Sequence, residues 1–338
     1  GRMRFTTDVY RKTTPDLLLN ASLPGNTGYS RQFKNMGKVR NEGLEFDLSG
    51  DIVKNKDFRW TSGVNISFNR NKVLALAEGE YSLLSTQYWG DDWVLIPGYI
   101  ARLNSPVAQF YGHVWEGVYN YDDFDKIGDN YILKSTVPNN GQDRASIKPG
   151  HIKYKDLNGD NQIDNNDRTV IGNPLPIPTG GWSNNFAYKN FDLNVLFQWS
   201  YGNDIYNANT WALGTGYKFN TNQYAYYADR WSPENQDSKI PVAKGSLSKY
   251  YSTRMVEDGS FLRLKTVSLG YNFSPTILKK AKISAIRVYA TAQNLITWTN
   301  YSGYDPEVSV RNSALTPGFD YSAYPRARTM VFGLNATF

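Results

Sequence analysis

The chain has 338 residues, 40 % hydrophobic and 15 % aromatic, with 25 Tyr, 16 Phe and 9 Trp against 20 % charged residues, which excludes a disordered polar chain. It has no Cys and only two His, the distant His113 and His151, so disulfide scaffolds, thiolate metal sites, thiol nucleophiles and His-rich transition-metal sites are excluded. The formal charge of +6 comes from scattered Lys and Arg with no basic run, which leaves no nucleic-acid footprint, and no stretch approaches the roughly 18 consecutive apolar residues of a transmembrane helix.

The opening GRMRFTTDVYRK has no apolar export signal and enters a strand pattern, so either the protein is cytoplasmic or an upstream part lies outside this sequence. A long connection runs from about Thr13 to Asn35. Leu44, Phe46, Leu48 and Ile52 then alternate with Glu45, Asp47, Ser49 and Asp51. After a short turn at Val53 to Asp57, Phe58, Trp60, Val64, Ile66 and Phe68 alternate with Arg59, Thr61, Asn65, Ser67 and Asn69. Long connections from Val73 to Gly98 and from Asp122 to Gly180 flank weaker strand segments around Val94 to Tyr121.

Beyond a tight turn at Lys189 and Asn190, Phe191, Leu193, Val195, Phe197, Trp199 and Tyr201 share one face, with Asp192, Asn194, Gln198 and Ser200 on the other. A strand puts these apolar residues on a single side; a helix would smear them around its circumference. After the long connection from Gly202 to Gly259, Leu262 and Leu264 fall out of phase with Val267, Leu269, Tyr271 and Phe273, which predicts a bulge near Lys265. A turn at Ser274 to Lys282 leads to Ile286, Val288, Ala290 and Ala292, opposed by Arg287, Tyr289, Thr291 and Gln293. The last long connection, Trp298 to Arg326, precedes Met330, Phe332, Leu334, Ala336 and Phe338.

This gives an all-β chain of about ten strands. Three features point to a transmembrane antiparallel β-barrel. The faces opposite the apolar ones are polar and often charged; Phe, Trp and Tyr gather at strand ends; and short turns alternate with long connections as periplasmic turns alternate with extracellular loops. The strands run to about 10 residues, where soluble strands average about 5 or 6.

The segments KVRNEGLEFDLSGDIV, FYGHVWEGVY, YKDLNGDNQIDNNDRTVIGNP, NFDLNVLFQWSYGNDIYN, FLRLKTVSLGYNF, IRVYATAQNLITWTNYSGYDPE and MVFGLNATF, in this order, resemble the C-terminal portion of SusC-like TonB-dependent outer-membrane transporters. The resemblance implies that residues 1–338 are the C-terminal part of a plugged barrel of about 22 strands, with the plug and the N-terminal strands absent from the chain. It also implies an outer membrane of a Gram-negative bacterium, and import of an oligosaccharide or peptide nutrient without covalent chemistry. The partners implied are a SusD-like surface lipoprotein, TonB-ExbB-ExbD acting through the absent N-terminal part, membrane lipid and the missing remainder of the barrel. Phe338, with Leu334 and Phe332, looks like a terminal assembly signal; the other possibility is an ordinary last strand.

One local motif carries its own chemistry. DLNGDNQIDNND resembles a calcium loop, with Asp156, Asn158, Asp160, Gln162 through its carbonyl, Asp164 and Asp167 as oxygen ligands for Ca²⁺. It departs from the pattern in Asn161 where Gly is usual and in Asp167 where Glu is usual, and an Asx-rich surface loop is the alternative. The carboxylates Asp305 and Glu307, or Asp91 and Asp92, are candidates for a glycosidase pair, but sequence neighbours rarely face each other across a substrate, and no nucleophile motif is present, so no enzyme is expected. Loop aromatics, among them Tyr88, Trp89, Trp93, Tyr206, Trp211 and Trp231, are candidate contacts for substrate or partner, with packing of loop on loop as the alternative. A surface β-rich carbohydrate-binding protein with a calcium-stabilised loop is the second functional possibility. In the barrel reading the first and last strands pair with polypeptide outside this chain, and Met330 to Thr337 bonds to a strand other than Ile286 to Thr297.

Overall fold

A computed structural model describes the chain except residues 1, 17, 23–30, 36, 77–79, 88–95, 217–219, 244–249, 275–277, 279–282 and 311–312, and describes the backbone alone for 18–22 and 31–35. Eight strands form one antiparallel sheet in chain order: β1 (Met3–Thr14), β2 (Lys38–Lys54), β3 (Phe58–Ala75), β4 (Pro178–Tyr188), β5 (Phe191–Ser200), β6 (Phe261–Asn272), β7 (Ala285–Thr299) and β8 (Thr329–Thr337). Among the described residues no helix is long and apolar enough to cross a membrane.

The register carries the period-two pattern across the sheet. Phe5 lies opposite Leu48, Leu48 opposite Val64, Val64 opposite Trp182, Trp182 opposite Phe197, and Phe197 opposite Leu264. The other face repeats the series with Thr6, Asp47, Asn65, Gly181, Gln198, Arg263 and Thr297. Lys265 is skipped between Leu264 and Thr266 in the pairing with β7, which is the bulge that the phase change in the sequence requires.

At one end the strands are joined tightly. Asn55 Oδ1 accepts from the amides of Asp57 and Phe58 to turn β2 into β3, and Lys189, with φ of 52°, turns β4 into β5. Near these turns rings meet along the apolar face: Phe58 and Trp60 stack on Phe186, and Phe191 packs at a tilt against Tyr271. Toward the opposite end lie Trp182, Phe197 and Trp298, whose rings also stack.

The long connections leave from that opposite end and build a second layer. The segments Ser82–Ser85, Tyr99–Arg102, Gln109–Gly112 and Thr169–Gly172 form a four-stranded sheet, and Asp204–Asn207 pairs with Val256–Asp258 and Phe319–Asp320. From the region expected around Val94 to Tyr121, the described residues 99–118 therefore supply short strands to this layer, and the large sheet has eight described strands where about ten were expected. The physical reason is burial: Tyr99, Ile100 and Ala101 are buried consecutively, so this segment lies inside a core and presents no alternating wall face.

The core of the described chain sits in the connections. Tyr99, Phe110, Tyr206, Trp211, Tyr251 and Phe319 form its largest buried cluster, smaller ones surround Tyr119 and Ile152, and a fourth joins Val39 of β2 and Val73 of β3 to Ala101 of the connections. The last strand corrects one expectation, because residues 329–337 pair in continuous register with 285–293. An antiparallel strand has two edges, and this one takes the preceding strand in sequence. β1 and β8 lie at opposite edges of the sheet and do not pair with each other.

Candidate functional site

The polar face of the sheet is rich in side-chain amides, each able to donate and accept. Asn71 Nδ2 donates to Asn41 Oδ1 at 2.9 Å, its own Oδ1 accepts from the Val107 amide at 2.9 Å, and Asn194 Nδ2 donates to Asn185 Oδ1 at 2.6 Å. Where the connections fold over this face they leave a cleft of about 680 Å³. Asn65, Thr179, Gln198 and Ser200 line it from the sheet, and Pro174, Pro176, Pro306 and Pro317 from the connections. A second cavity of about 330 Å³ shares Pro176, Thr179 and Pro317 and extends the lining to Asn41, Ser67, Asn69 and Asn71.

Charge in the cleft is neutralised locally. Glu307, on its wall, lies 2.5 Å from Arg263 and 3.0 Å from Arg326. Asp305 beside it bonds the same Arg263 at 2.6 Å. Burial pushes the Asp305 carboxyl up, but the amides of Glu307 and Arg326 together with Arg263 outweigh it and hold the group below the usual carboxylate range. The two carboxylates of GYDPEVS thus converge on one guanidinium, while Asp91 and Asp92 lie outside the described residues. With neutral amides, hydroxyls and proline rings presented, the cleft suits an uncharged ligand rich in hydrogen-bonding groups.

The 156–167 loop is closed by its own hydrogen bonds. Asp156 accepts from the amides of Asn158, Gly159 and Asn161, Asp160 from that of Gln162, Asp164 from that of Asn166, and Asp167 from those of Leu157 and Asp164. Partial burial pushes the Asp156 carboxyl up, and the three amides overcome it and lower its pKa. The oxygen donors are of the hard type that Ca²⁺ takes, and Asn161 adopts φ of 62° where the pattern prefers Gly. Among the described residues no three carboxylate or imidazole side chains converge on one point. The buried ring of His113 anchors this loop, with Nε2 2.8 Å from the Asp164 carbonyl and the ring stacked on Tyr250 at 4.2 Å.

Of the candidate aromatics, Tyr206, Trp211 and Trp231 are buried at 1, 2 and 5 % exposure, so these three rings pack loop on loop and do not face solvent. Tyr206 stacks on Phe319, and the Trp231 indole donates to Asn120 at 2.7 Å. Tyr88, Trp89 and Trp93 lie outside the described residues. Phe332 and Leu334 stand on the apolar face of β8 opposite Ala290 and Val288, and Phe338 is exposed just beyond it.

Sequence reasoning missed the roles of Arg263, Arg168 and Arg254. Arg263 was discernible from its place on the polar face, opposite Gln198 and Thr297. Arg168, which caps the carbonyls of Pro97 and Tyr111, and Arg254, which caps that of Gly214, carried no local signal because their partners are distant in sequence.

A sheet with one apolar and one polar face, tight turns at one end and a folded layer of long connections at the other defines the wall of a membrane β-barrel. No protein-family model matches the chain. It is 34 % identical over 350 residues to TonB-dependent receptor P3 of Formosa agariphila and 28 % identical over 344 residues to TonB-dependent receptor SusC of Bacteroides thetaiotaomicron. Those alignments take in 100 % of this chain and 32 % and 30 % of the relatives, so the chain spans about a third of the length of the curated relatives it matches. Among solved structures, the RagAB peptide transporter matches with a TM-score of 0.77 at 24 % identity, over 100 % of this chain and 34 % of that one. The RagAB peptide importer in its open-open state gives a TM-score of 0.72 at 25 % identity, over 100 % and 33 %. The chain is homologous along its whole length to TonB-dependent receptors, SusC among them, and its fold is that of their barrel portion.

Proposed function

We propose that the chain is the C-terminal part of the barrel of an outer-membrane nutrient importer. The observation that carries this is the sheet's exposed apolar face. Eight strands about 4.8 Å apart with an apolar band about 25 Å tall give an apolar area on the order of 900 Å², whereas soluble monomers rarely expose more than a few hundred. On the inner strands, Leu48, Trp182, Leu269 and Trp298 are each at least 39 % exposed, which suits hydrocarbon and is costly in water.

In this reading nutrient enters from the side of the connections, passes along the amide-lined polar face, and undergoes no covalent change. A SusD-like lipoprotein covers the connections, and TonB-ExbB-ExbD supplies the energy through a plug. The names of the relatives support these assignments: SusC is a TonB-dependent receptor, and RagAB is a peptide transporter. An oligosaccharide and a peptide both meet the requirement for dense neutral hydrogen bonding. The reading also assigns one Ca²⁺ to the 156–167 loop, on the spacing of its oxygens.

The test is uptake by cells carrying or lacking the full-length gene, with radiolabelled neutral oligosaccharides and short peptides as probes. Gene-dependent uptake of one probe class that stops when a protonophore collapses the proton gradient is the expected result. Uptake equal in both strains, or release of the protein from membranes without detergent, would contradict the proposal.

A further inference from the structure

One guanidinium ties the last connection to the sheet. Arg263 in β6 is 1 % exposed and donates from Nη2 to Asp305 Oδ1 at 2.6 Å, from Nη1 to Glu307 Oε2 at 2.5 Å and from Nε to Thr297 Oγ1 at 3.0 Å. The carboxylates in turn hold the returning limb of the connection. Asp305 Oδ2 accepts from the Arg326 amide at 3.1 Å, and Glu307 Oε2 lies 3.0 Å from Arg326 Nε and 3.9 Å from Lys265 Nζ. Asp305 Oδ1 also accepts from the Glu307 amide at 2.9 Å, which closes the turn across Pro306. Both limbs of the 300–328 connection are therefore fastened at one place, and Pro306, Glu307, Val308 and Ser309 line the 680 Å³ cleft directly beside it.

Energetics separates stabilising from positioning. A buried ion pair gains little over an apolar replacement of similar volume, because desolvation offsets the Coulombic attraction. What a planar guanidinium adds is direction: its fork of N–H donors admits few arrangements of the carboxylates that read it. We propose that Arg263 is a positioning residue that clamps the 300–328 connection so that Pro306 to Ser309 form one wall of the cleft. The role given to the cleft rests on the import reading; the clamp itself does not.

Hydrogen exchange on the full-length receptor in membranes tests the clamp without any transport substrate. In Arg263→Gln, exchange of 305–310 and 326–328 rises roughly tenfold while 191–200 in β5 keeps its protection. Asp305→Asn loosens the same segments, and the double variant loosens them no further than Arg263→Gln alone, since both changes break one interaction. Arg263→Lys restores part of the protection, because one ammonium cannot present the fork to both carboxylates. Additive loosening in the double variant, full protection in Arg263→Gln, or equal loss in β5 and the connection would overturn the proposal. Should Arg263→Gln fail to assemble, Asp305→Asn and Glu307→Gln carry the test with the guanidinium retained, and unchanged protection in both would overturn it. Failure of the import reading would show in the uptake assay and leave these exchange rates as they are.

Discussion

In the large sheet Phe5, Leu48 and Phe332 point away from the protein, whereas in the connections Tyr99, Phe110, Tyr206 and Phe319 close on one another. The same kinds of residue are used in two opposite ways within one chain. The connections follow the rule for a domain that folds in water, with apolar groups inside and charges outside or capped. The sheet inverts it: Asp192 with Arg287, Asp51 with Arg59 and Glu45 with Ser67 pair on the face that the connections cover at one end, and the rings stand outside. Two surroundings, hydrocarbon beside the sheet and water around the connections, account for both patterns.

The two regions also differ in what holds them together. Each sheet strand is fixed by ladder hydrogen bonds to its neighbours over nine residues or more. The connections depend instead on a few large side chains and on Arg caps. The largest effect is therefore expected at Trp211, which is 2 % exposed in the main buried cluster. Trp211→Ala should cost the connections about 3 to 5 kcal/mol of local stability and leave the sheet paired. Hydrogen exchange resolves the two; if sheet and connections lose protection together, they form one cooperative unit and the contrast between them fails.

Next comes a charge on the apolar face. Val195→Arg at mid-strand should cost about 2 to 4 kcal/mol and block assembly, while Asn194→Ser one residue away should assemble normally. Heat-modifiable migration of the assembled receptor in gels reads this out, and equal tolerance at the two positions would remove the lipid assignment.

A smaller effect follows from pH and belongs to the connections alone. Burial lowers the pKa of both His113 and His151 from the ordinary 6.5. Each is thus easier to protonate in the unfolded chain, so the stability tied to its neutral form is complete above that value and is lost as pH falls through the lowered one. Acidification from pH 7.5 to 5 should speed exchange around His113, Tyr250 and the 156–167 loop before it touches β5. Loss that begins in the sheet would contradict this order.

The smallest effect is expected from calcium. The full-length receptor should bind one Ca²⁺ in the 156–167 loop by calorimetry, and Asp160→Ala should lose it. Chelation should change exchange in that loop only slightly, because Asp156 and Asp167 already hold its amides. No heat of binding at millimolar calcium would leave an Asx-rich turn.

Six of the eight described sheet strands were legible in the sequence because their two faces meet different surroundings, which writes a period of two into them, down to the bulge at Lys265. The connections were not legible to the same degree. Their strands are about four residues long, too short to show a period, and Tyr99 to Ala101 are buried on both sides. Their contacts are also distant in sequence, as when Tyr206 stacks on Phe319 or His113 bridges to Ser252. Tyr206, Trp211 and Trp231 looked like binding surface for that reason, since an aromatic residue in a loop reads the same whether it is exposed or packed under another loop. Asp305 and Glu307 stood out as a carboxylate pair, but the cation that unites them lies about forty residues away on a sheet strand.

These 338 residues contain no cysteine, so once any cysteine elsewhere in the full-length receptor is replaced, single cysteines can be placed along β5. Fluorophores attached at Val195 and Phe197, and at Asn194 and Gln198, in the full-length receptor in lipid vesicles would report the surroundings of each face. The account predicts quenching by spin-labelled lipid at 195 and 197 and by aqueous iodide at 194 and 198. Equal quenching at all four positions, or the reverse assignment, would contradict the claim that this sheet separates lipid from water.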